Sequence, residues 1–258
     1  HAYTQKCFRS RKPLSVFNDF KRTEFEVANA KRYAAILTMS EFIRNEAIHG
    51  GIPAEKVICN PPFTEFKLSF FPFEQKEKKF LFIGRLIEHK GVHHLLHAIL
   101  PILQSDANNH LHIVGDGPLF HYVMDFIAKN QIQKQIIVEK WKTSAEISEL
   151  MKKSFCVLFP SVYPEAFGLV GIEAGMHSKP VIAFNVGGVS TWLKDQFNGF
   201  LLDEVSTSSF SAATQRMIDN PELYQKMARN AWELANSYFT PERHVSMLME
   251  VYHRCIIS

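Results

Sequence analysis

The stretch "FLFIGRLIEHKGVHHLLHAILPILQ" (Phe80–Gln104) decides the fold, because it joins two patterns of different period. Its start, "FLFIG", is a short apolar run typical of a buried strand, whereas "VHHLLHAILPILQ" has its apolar residues at helical spacing. The same order recurs at "LHIVG" (Leu111–Gly115), which is followed by a helix predicted from about Leu119 to Asn130. Four further apolar runs continue the series: "QIIVE" (Gln135–Glu139), "CVLFP" (Cys156–Pro160), "PVIAF" (Pro180–Phe184) and "GFLL" (Gly199–Leu202). Runs that are apolar on both faces are typical of strands covered by helices on each side. The sequence therefore predicts an α/β fold with a Rossmann-like, doubly wound parallel sheet.

The part of the chain before Phe80 follows another plan. The pattern predicts a helix over 16–33, a strand over 34–40 and a helix over 41–49 that ends at Gly50–Gly51. Prolines followed by charged residues over 60–79 indicate a linker. One strand with two helices cannot bury both of its faces, so we expect the chain to be a fragment that carries the tail of a second sheet. The predicted organisation is residues 1–66 as that tail, 67–79 as linker, 80–238 as a ligand-binding domain and 239–258 as a terminal helix.

Composition excludes several classes of protein. The chain has 258 residues, 46% of them hydrophobic, which is enough for a sizeable core. Its net charge of +3 is too small to indicate nucleic-acid binding. No apolar run reaches the roughly 20 residues of a membrane span, and no secretory leader is evident, so we expect a soluble cytoplasmic protein. The four cysteines are scattered, which favours reduced thiols.

Two local features concern metals and membranes. No Asp-x-Asp pair and no His/Cys cluster with ligand spacing occurs, so no metal site is expected. The first 22 residues are basic, which suggests a solvated face or, as the alternative, peripheral contact with an anionic surface such as the inner face of a membrane.

The segments that follow the predicted strands carry the candidate ligand site. In an open parallel sheet, ligands bind beyond the carboxyl ends of the strands. Those ends are followed by "GRLIEHKG", "GDGPL", "PEAFGLVGIEAG" and the glycine pair Gly187–Gly188. Glycines allow close approach of the backbone to a ligand, and a helix N-terminus offers unpaired N–H groups to an anion. With the cations Arg85 and Lys90, these segments predict a cradle for a diphosphate.

Four motifs in this order resemble the signature of the retaining GT-B glycosyltransferases of group 1, or family 4-like. The motifs are "FIGRLIEHKG", "IVGDGPL", "PEAFGLVGIEAG" and "PVIAFNVGG". That family includes bacterial polysaccharide mannosyl- and glucosyltransferases and, more distantly, glycogen and sucrose synthases. The resemblance covers about residues 34–250 and implies that the chain is mostly the C-terminal, donor-binding half of a GT-B fold, with 239–258 as the helix that crosses back to the N-terminal domain.

The resemblance also implies a role for each matching residue. Arg85 and Lys90 would hold the nucleotide diphosphate, Glu165 would accept hydrogen bonds from donor-sugar hydroxyls, and Glu173 would bind the ribose diol. An ionised carboxylate suits a diol because it can accept two O–H donors at once. Further substrate contacts are expected at Gly84, Ala166, Phe167, Gly168, Leu169, Lys140, Trp141, Gly187 and Gly188.

Three positions leave questions open. Lys140 stands where the family often has a glycine beside the nucleobase, which leaves the identity of the base open. Thr191 stands where the family often has a glutamate. His1 resembles the family's N-terminal-domain histidine that faces the donor sugar; the other reading is an artificial terminus or tag remnant.

The resemblance predicts a metal-independent, anomer-retaining glycosyltransferase that needs no cofactor and uses a nucleotide-diphosphate sugar, such as a UDP- or GDP-sugar. The acceptor would be a saccharide or glycolipid of cell-surface polysaccharide synthesis, and the fragment is expected to self-associate or to pair with a partner N-terminal domain. The alternatives are a non-catalytic nucleotide-sugar-binding module, or donor subunit of a split enzyme, and an inverting or epimerase relative on the same architecture.

Overall fold

The computed structural model describes residues 21–22, 25–65, 68–73 and 76–257. His1 and most of the predicted basic cluster lie outside these residues. The chain divides into two compact units, one formed by residues up to Asn60 together with those from Met247 onward, and the other by Pro61–Ser246.

The first unit contains a small parallel sheet. Strand β1 (Ile36–Thr38) pairs with β2 (Val57–Cys59), and helix α1 (Glu41–His49) lies between them in the chain. Ser40 caps α1 by accepting a hydrogen bond from the Ile43 N–H at 3.3 Å. The strand β2 is absent from the sequence prediction, because three residues are too short to show a period. A single-turn 3₁₀ helix, Ala54–Lys56, precedes it, and residues 25–30 are helical.

The second unit is built on a six-stranded sheet in which every pairing is parallel. The strands are β3 (Lys78–Ile83), β4 (Asn109–Val114), β5 (Ile136–Glu139), β6 (Cys156–Phe159), β7 (Val181–Phe184) and β8 (Gly199–Leu202), and their spatial order is β5-β4-β3-β6-β7-β8. This confirms the predicted Rossmann-like α/β fold. The order reverses between β3 and β6, which makes their carboxyl ends the topological switch point, the place where such sheets bind ligands.

Seven helices connect and follow these strands in the described part of the chain. They are α2 (Val92–Ser105), α3 (Phe120–Asn130), α4 (Ser144–Lys153), α5 (Leu169–Met176), α6 (Thr207–Asp219), α7 (Pro221–Tyr238) and α8 (Pro241–Ile257). The predicted terminal segment, 239–258, contains a helix that begins at Pro241; the Thr240 hydroxyl accepts from the Arg243 N–H at 3.3 Å, and Pro241 occupies the first turn.

The core of the second unit lies on both faces of the sheet. Side chains alternate along each strand, so Phe80 and Phe82 join one apolar cluster while Leu81, the residue between them, joins the other. The first cluster includes buried residues of α2, α3 and α6, and the second includes those of α4 and α5. Burial on both faces explains why the central strands β6 and β7 are continuously apolar.

The segment before β3 has no helix or strand among its described residues but is packed against α7. Trp232 donates to the Leu68 carbonyl at 2.7 Å, and the Arg229 guanidinium lies 4.4 Å from the centre of the Phe70 ring. The last two residues of the predicted linker, Lys78 and Lys79, belong to β3.

Candidate functional site

The candidate site lies at the carboxyl ends of β4, β3, β6 and β7, which are consecutive neighbours in the sheet. The loop after each strand carries one of the four motifs. Because parallel strands end at the same edge, residues far apart in sequence meet there. The structure therefore brings Arg85, Lys90, Glu165 and the pair Gly187–Gly188 to one edge of the sheet.

Lys90 and Glu165 form an ion pair at the centre of this edge. The Lys90 Nζ lies 2.6 Å from the Glu165 Oε1, although the two residues are 75 positions apart. Their side chains are only 25% and 18% exposed. The Ser161 hydroxyl donates to the same carboxylate oxygen. The residues predicted to bind the diphosphate and the sugar are thus in direct contact.

The loop that carries Lys90 is held against the loop after β6. The Val162 N–H donates to the His89 carbonyl at 3.0 Å. Gly91 has φ +67°, and a Cβ at this position would overlap the Pro160 carbonyl oxygen. Glycine is required here both by the left-handed backbone and by this close approach. These contacts set the distance from Lys90 to the residues that follow β6.

The glycine pair after β7 joins the main chain of Glu165. Residues Glu165 and Gly187 form an isolated parallel bridge, and the Gly188 N–H donates to the Glu165 carbonyl at 2.7 Å. Gly187 has φ +59°, and a Cβ there would overlap Glu165 backbone atoms. The glycine pair therefore positions Glu165 through its backbone.

Arg85 is exposed immediately beyond β3. Its loop is fixed by the next residue, since the Leu86 N–H donates to the Asp116 carbonyl at 2.9 Å and the Leu86 carbonyl accepts from the Leu119 N–H at 2.9 Å. Within the described ranges, no side chain forms an ion pair with Arg85. The guanidinium is therefore available to an anion at the rim.

The turn that leads into α5 rests on a buried tryptophan. Trp192 is 2% exposed, and its indole N–H donates to the Phe167 carbonyl at 2.6 Å. Its ring lies against Gly168 and Gly171, and a Cβ on Gly171 would overlap it. The Phe167 side chain is itself 2% exposed. The Phe167 side chain is therefore not available to a ligand.

Glu173 lies on α5 four residues after Leu169, which places both on one face of the helix. Leu169 is 49% exposed, whereas Glu173 is partly buried. This burial raises the pKa of the Glu173 carboxyl above its usual value. Among the described residues, none donates a hydrogen bond to this carboxylate. Such a group is suited to receive donors from a ligand.

Glu173 also yields a prediction about stability. Because the pKa of the Glu173 carboxyl is raised in the folded chain, protonation of this group stabilises the fold. The stabilisation is complete at pH values below the unfolded-state pKa, and it is lost as the pH rises through the folded-state pKa. At neutral pH the buried charge is destabilising, so Glu173→Gln should increase the free energy of unfolding by about 0.5–2 kcal/mol. The gain should shrink toward about pH 4 in denaturant titrations.

The matched control for this prediction is the exposed Glu233 on α7. Glu233→Gln should leave the unfolding free energy unchanged within about 0.5 kcal/mol at both pH values. A Glu173→Gln variant that is less stable than the parent chain at neutral pH would show that the carboxylate has a stabilising partner.

Lys140 and Trp141 follow β5 and are exposed. The Lys140 Nζ lies 4.0 Å from the Asp116 Oδ2, which places it beside the loop after β4. The preceding Glu139 is already bound, to Lys142 at 2.9 Å and to His112 at 2.6 Å. These partners, chiefly Lys142, lower its pKa. Trp141 is therefore exposed to a ligand, Lys140 is exposed beside Asp116, and Glu139 is occupied by its two partners.

Some sequence predictions are not placed at the site. His1 lies outside the described residues. Thr191 has a buried hydroxyl with no hydrogen-bond partner among the described residues.

Within the residues that the structure describes, no group of His, Cys, Asp and Glu side chains is arranged to hold a metal ion. No helix in these ranges is long and apolar enough to cross a membrane.

Sequence reasoning missed two residues that shape the site, Ser161 and Trp192. Ser161 is 1% exposed and stands directly beyond β6, in the same class of position as the predicted residues. Its place after a strand could have identified it. Trp192 offered no such signal, because its contact with the 167–171 turn depends on tertiary packing.

Comparison with known proteins gives matches over most of the chain. The sequence profile of the family described as "Glycosyl transferases group 1" matches residues 64–233. The uncharacterized glycosyltransferase MJ1178 of Methanocaldococcus jannaschii is 30% identical over 172 residues, which are 67% of this chain and 47% of that protein. Alpha-D-kanosaminyltransferase of Streptomyces kanamyceticus is 23% identical over 235 residues, covering 86% of this chain and 61% of that protein.

Among solved structures, Anabaena Alr3699/HepE in complex with UDP matches with a TM-score of 0.80 and 21% sequence identity. The match covers 90% of this chain and 67% of that one. At this identity the likeness shows a shared fold. This chain spans about half of the length of the curated relatives it matches, 47% and 61% for the two above.

Proposed function

The chain belongs to the glycosyl transferases group 1 family, and from this premise we propose that it binds the donor of a retaining glycosyltransferase and takes part in transfer of a sugar from a nucleotide-diphosphate sugar to an acceptor. The observation that carries the proposal is the contact between Lys90 and Glu165 at the switch point of the sheet. A cation and a carboxylate at that place match the two polar parts of such a donor, the diphosphate and the sugar.

The diphosphate is assigned to Arg85, Lys90 and the backbone N–H groups at the start of α5. The support is that Arg85 is exposed in the same loop after β3 as Lys90, and that α5 begins at the same edge of the sheet, where the N–H groups of its first turn favour an anion. Fixed positive groups can stabilise the leaving diphosphate as charge develops on it. For this reason we propose that the transfer does not require a metal ion.

The remaining donor groups are assigned to the carboxylates and to the rim. Glu165 accepts from sugar hydroxyls, and Glu173, with its unbound and partly buried carboxylate, accepts from the ribose diol. Lys140 and Trp141 flank the base. The proposal of retention rests on the resemblance of the Glu165–Glu173 spacing to the retaining group, and it names no protein nucleophile or general base.

The acceptor is proposed to be a saccharide or glycolipid, used in cell-surface polysaccharide synthesis at the cytoplasmic side of the membrane. This assignment rests on the resemblance alone. The competing function, a nucleotide-sugar-binding module without turnover, has the same donor contacts. Release of free nucleoside diphosphate in the presence of an acceptor extract distinguishes the two, because a binding module releases none.

A thermal-shift panel of UDP-, GDP- and ADP-sugars tests donor binding directly. A ligand at about one hundred times its dissociation constant stabilises the fold by roughly 2.7 kcal/mol. UDP-glucose and UDP are the first probes, since HepE was solved with UDP. A panel in which no nucleotide sugar and no nucleoside diphosphate shifts the melting temperature would remove the proposed function.

The two carboxylates predict a division of labour that mutation can separate. Glu173→Ala should weaken binding of the free nucleoside diphosphate and of the nucleotide sugar to the same extent, because both ligands contain ribose. Glu165→Ala should weaken only the nucleotide sugar. Each loss should be about 10- to 100-fold, the scale of a hydrogen bond to a charged group. Calorimetric titration of both ligands into both variants measures this; equal losses in all four experiments would contradict the assignment.

A further inference from the structure

The carboxylate of Glu165 is bound to the protein through one of its two oxygens. The Lys90 Nζ, at 2.6 Å, and the Ser161 hydroxyl both donate to Oε1. Oε2 receives no hydrogen bond from the described residues. Because an ionised carboxylate has about four acceptor sites on its two oxygens, this arrangement leaves one oxygen with its full capacity.

We propose that Ser161 is a positioning residue, which anchors Oε1 of Glu165 so that Oε2 is presented to a hydroxyl of the donor sugar. The inference rests on the proposed function and adds to it a residue that no family motif assigned. Ser161 acts through Glu165 and does not itself contact the substrate.

Burial and position suit Ser161 to this role. It is 1% exposed and follows β6 after a single proline, and the loop is held at the next residue, because the Val162 N–H donates to the His89 carbonyl at 3.0 Å. Its hydroxyl donates to Glu165 and to no other described residue. The terminal torsion of a glutamate is broad, and a second fixed contact is needed to set the plane of the carboxylate. The Ser161 hydroxyl supplies that contact from a buried position in a loop whose backbone is bonded to the His89 carbonyl.

Lys90 cannot fill the same role once a donor is bound. Its ammonium is the cation assigned to the diphosphate, and its side chain reaches the rim with 25% exposure. An anionic diphosphate competes with Glu165 for the three N–H donors of this group. Ser161 is neutral and buried, so its bond to Oε1 persists when Lys90 turns to the phosphate. The serine therefore keeps Glu165 oriented in the state in which the orientation matters.

A double-mutant cycle on the full chain tests the inference. The four proteins are the parent chain, Ser161→Ala, Glu165→Ala and the double variant, and the measured quantities are the dissociation constants of UDP-glucose and UDP, or of the pair that gives the largest thermal shift. Ser161→Ala should weaken binding of the nucleotide sugar about 10-fold and leave the affinity for the free diphosphate unchanged. In the Glu165→Ala background, the same change should have no further effect.

Ser161→Thr serves as the rescue variant because it keeps the hydroxyl. It should bind the nucleotide sugar more tightly than Ser161→Ala does. The melting temperature of each variant, together with an unchanged affinity for the free diphosphate, reports that the variant is folded. A merely structural serine would behave differently, since its loss would weaken both ligands.

Three results would overturn the inference. The first is that the affinity losses of Ser161→Ala and Glu165→Ala for the nucleotide sugar are additive in the double variant. The second is that Ser161→Ala weakens binding of the free diphosphate as much as binding of the nucleotide sugar. The third is that Ser161→Thr binds the nucleotide sugar no more tightly than Ser161→Ala. The failure of the proposed function looks different, because the parent chain would then bind neither ligand, and in that case the role of Ser161 falls with it.

Discussion

Lys90→Ala is expected to weaken binding of the free nucleoside diphosphate about 10- to 100-fold, because a charge-assisted hydrogen bond at a partly buried site is removed. In the proposed transfer reaction, turnover should fall further, about 10²- to 10³-fold, since the leaving diphosphate would carry more negative charge in the transition state than in the ground state. The variant also removes the cation that lies 2.6 Å from Glu165. Calorimetry with the diphosphate and initial-rate assays with acceptor measure the two effects separately.

The matched control is Lys152→Ala. Lys152 also pairs with a glutamate at 2.6 Å, Glu149, but on the exposed face of α4 and away from the four motif loops. Exposed pairs of this kind contribute about 0–1 kcal/mol, and removing one should leave diphosphate affinity unchanged. Lys90→Ala with the affinity of the parent chain would show that the diphosphate binds elsewhere.

Trp192→Ala is expected to destabilise the second unit by about 3–5 kcal/mol, the range for truncation of a buried tryptophan. The ring is 2% exposed and packs edge-on against Phe159, with centroids 5.8 Å apart. Its loss would leave a cavity beneath Gly168 and Gly171 and would remove the donor to the Phe167 carbonyl. The melting temperature should fall on the order of 10 °C in calorimetry.

Two variants make this prediction specific. Trp192→Phe refills most of the volume but lacks the indole N–H, so its stability should lie between those of the parent chain and Trp192→Ala. Trp141→Ala removes the same side chain from a position that is 55% exposed, and its unfolding free energy should change by less than about 0.5 kcal/mol. If Trp192→Ala and Trp141→Ala have the same melting temperature, the Trp192 ring does not support the turn that leads into α5.

Most of the second unit's architecture could be read from the sequence because it depends on local patterns. The apolar runs at β3, β4, β6 and β7 and the helical spacing after β3 report burial within a few residues of each position. Parallel strands must be joined by crossovers, so the alternation of the two patterns already implies the parallel sheet. The strand ends then point to Arg85, Lys90 and Glu165 as neighbours at one edge.

Two features of the fold could not be predicted from the sequence, because their sequence patterns are short or weak. The strand β2 of three residues has no period to detect, and so the first unit was predicted with one strand in place of two. The segment 68–73 lies within the predicted linker, but its contacts with Trp232 and Arg229 join it to α7. Composition reports the absence of regular structure there and does not report packing.

By itself the sequence determined the α/β class, the presence of a terminal helix and the set of loops that can meet a ligand, because each of these follows from residues close together in the chain. Only the tertiary structure decided that Lys90 and Ser161 share one oxygen of Glu165 and that Trp192 lies beneath the turn from Glu165 into α5. These contacts join residues up to 75 positions apart. Their geometry depends on how side chains fill the space between packed elements, and no period in the sequence records it.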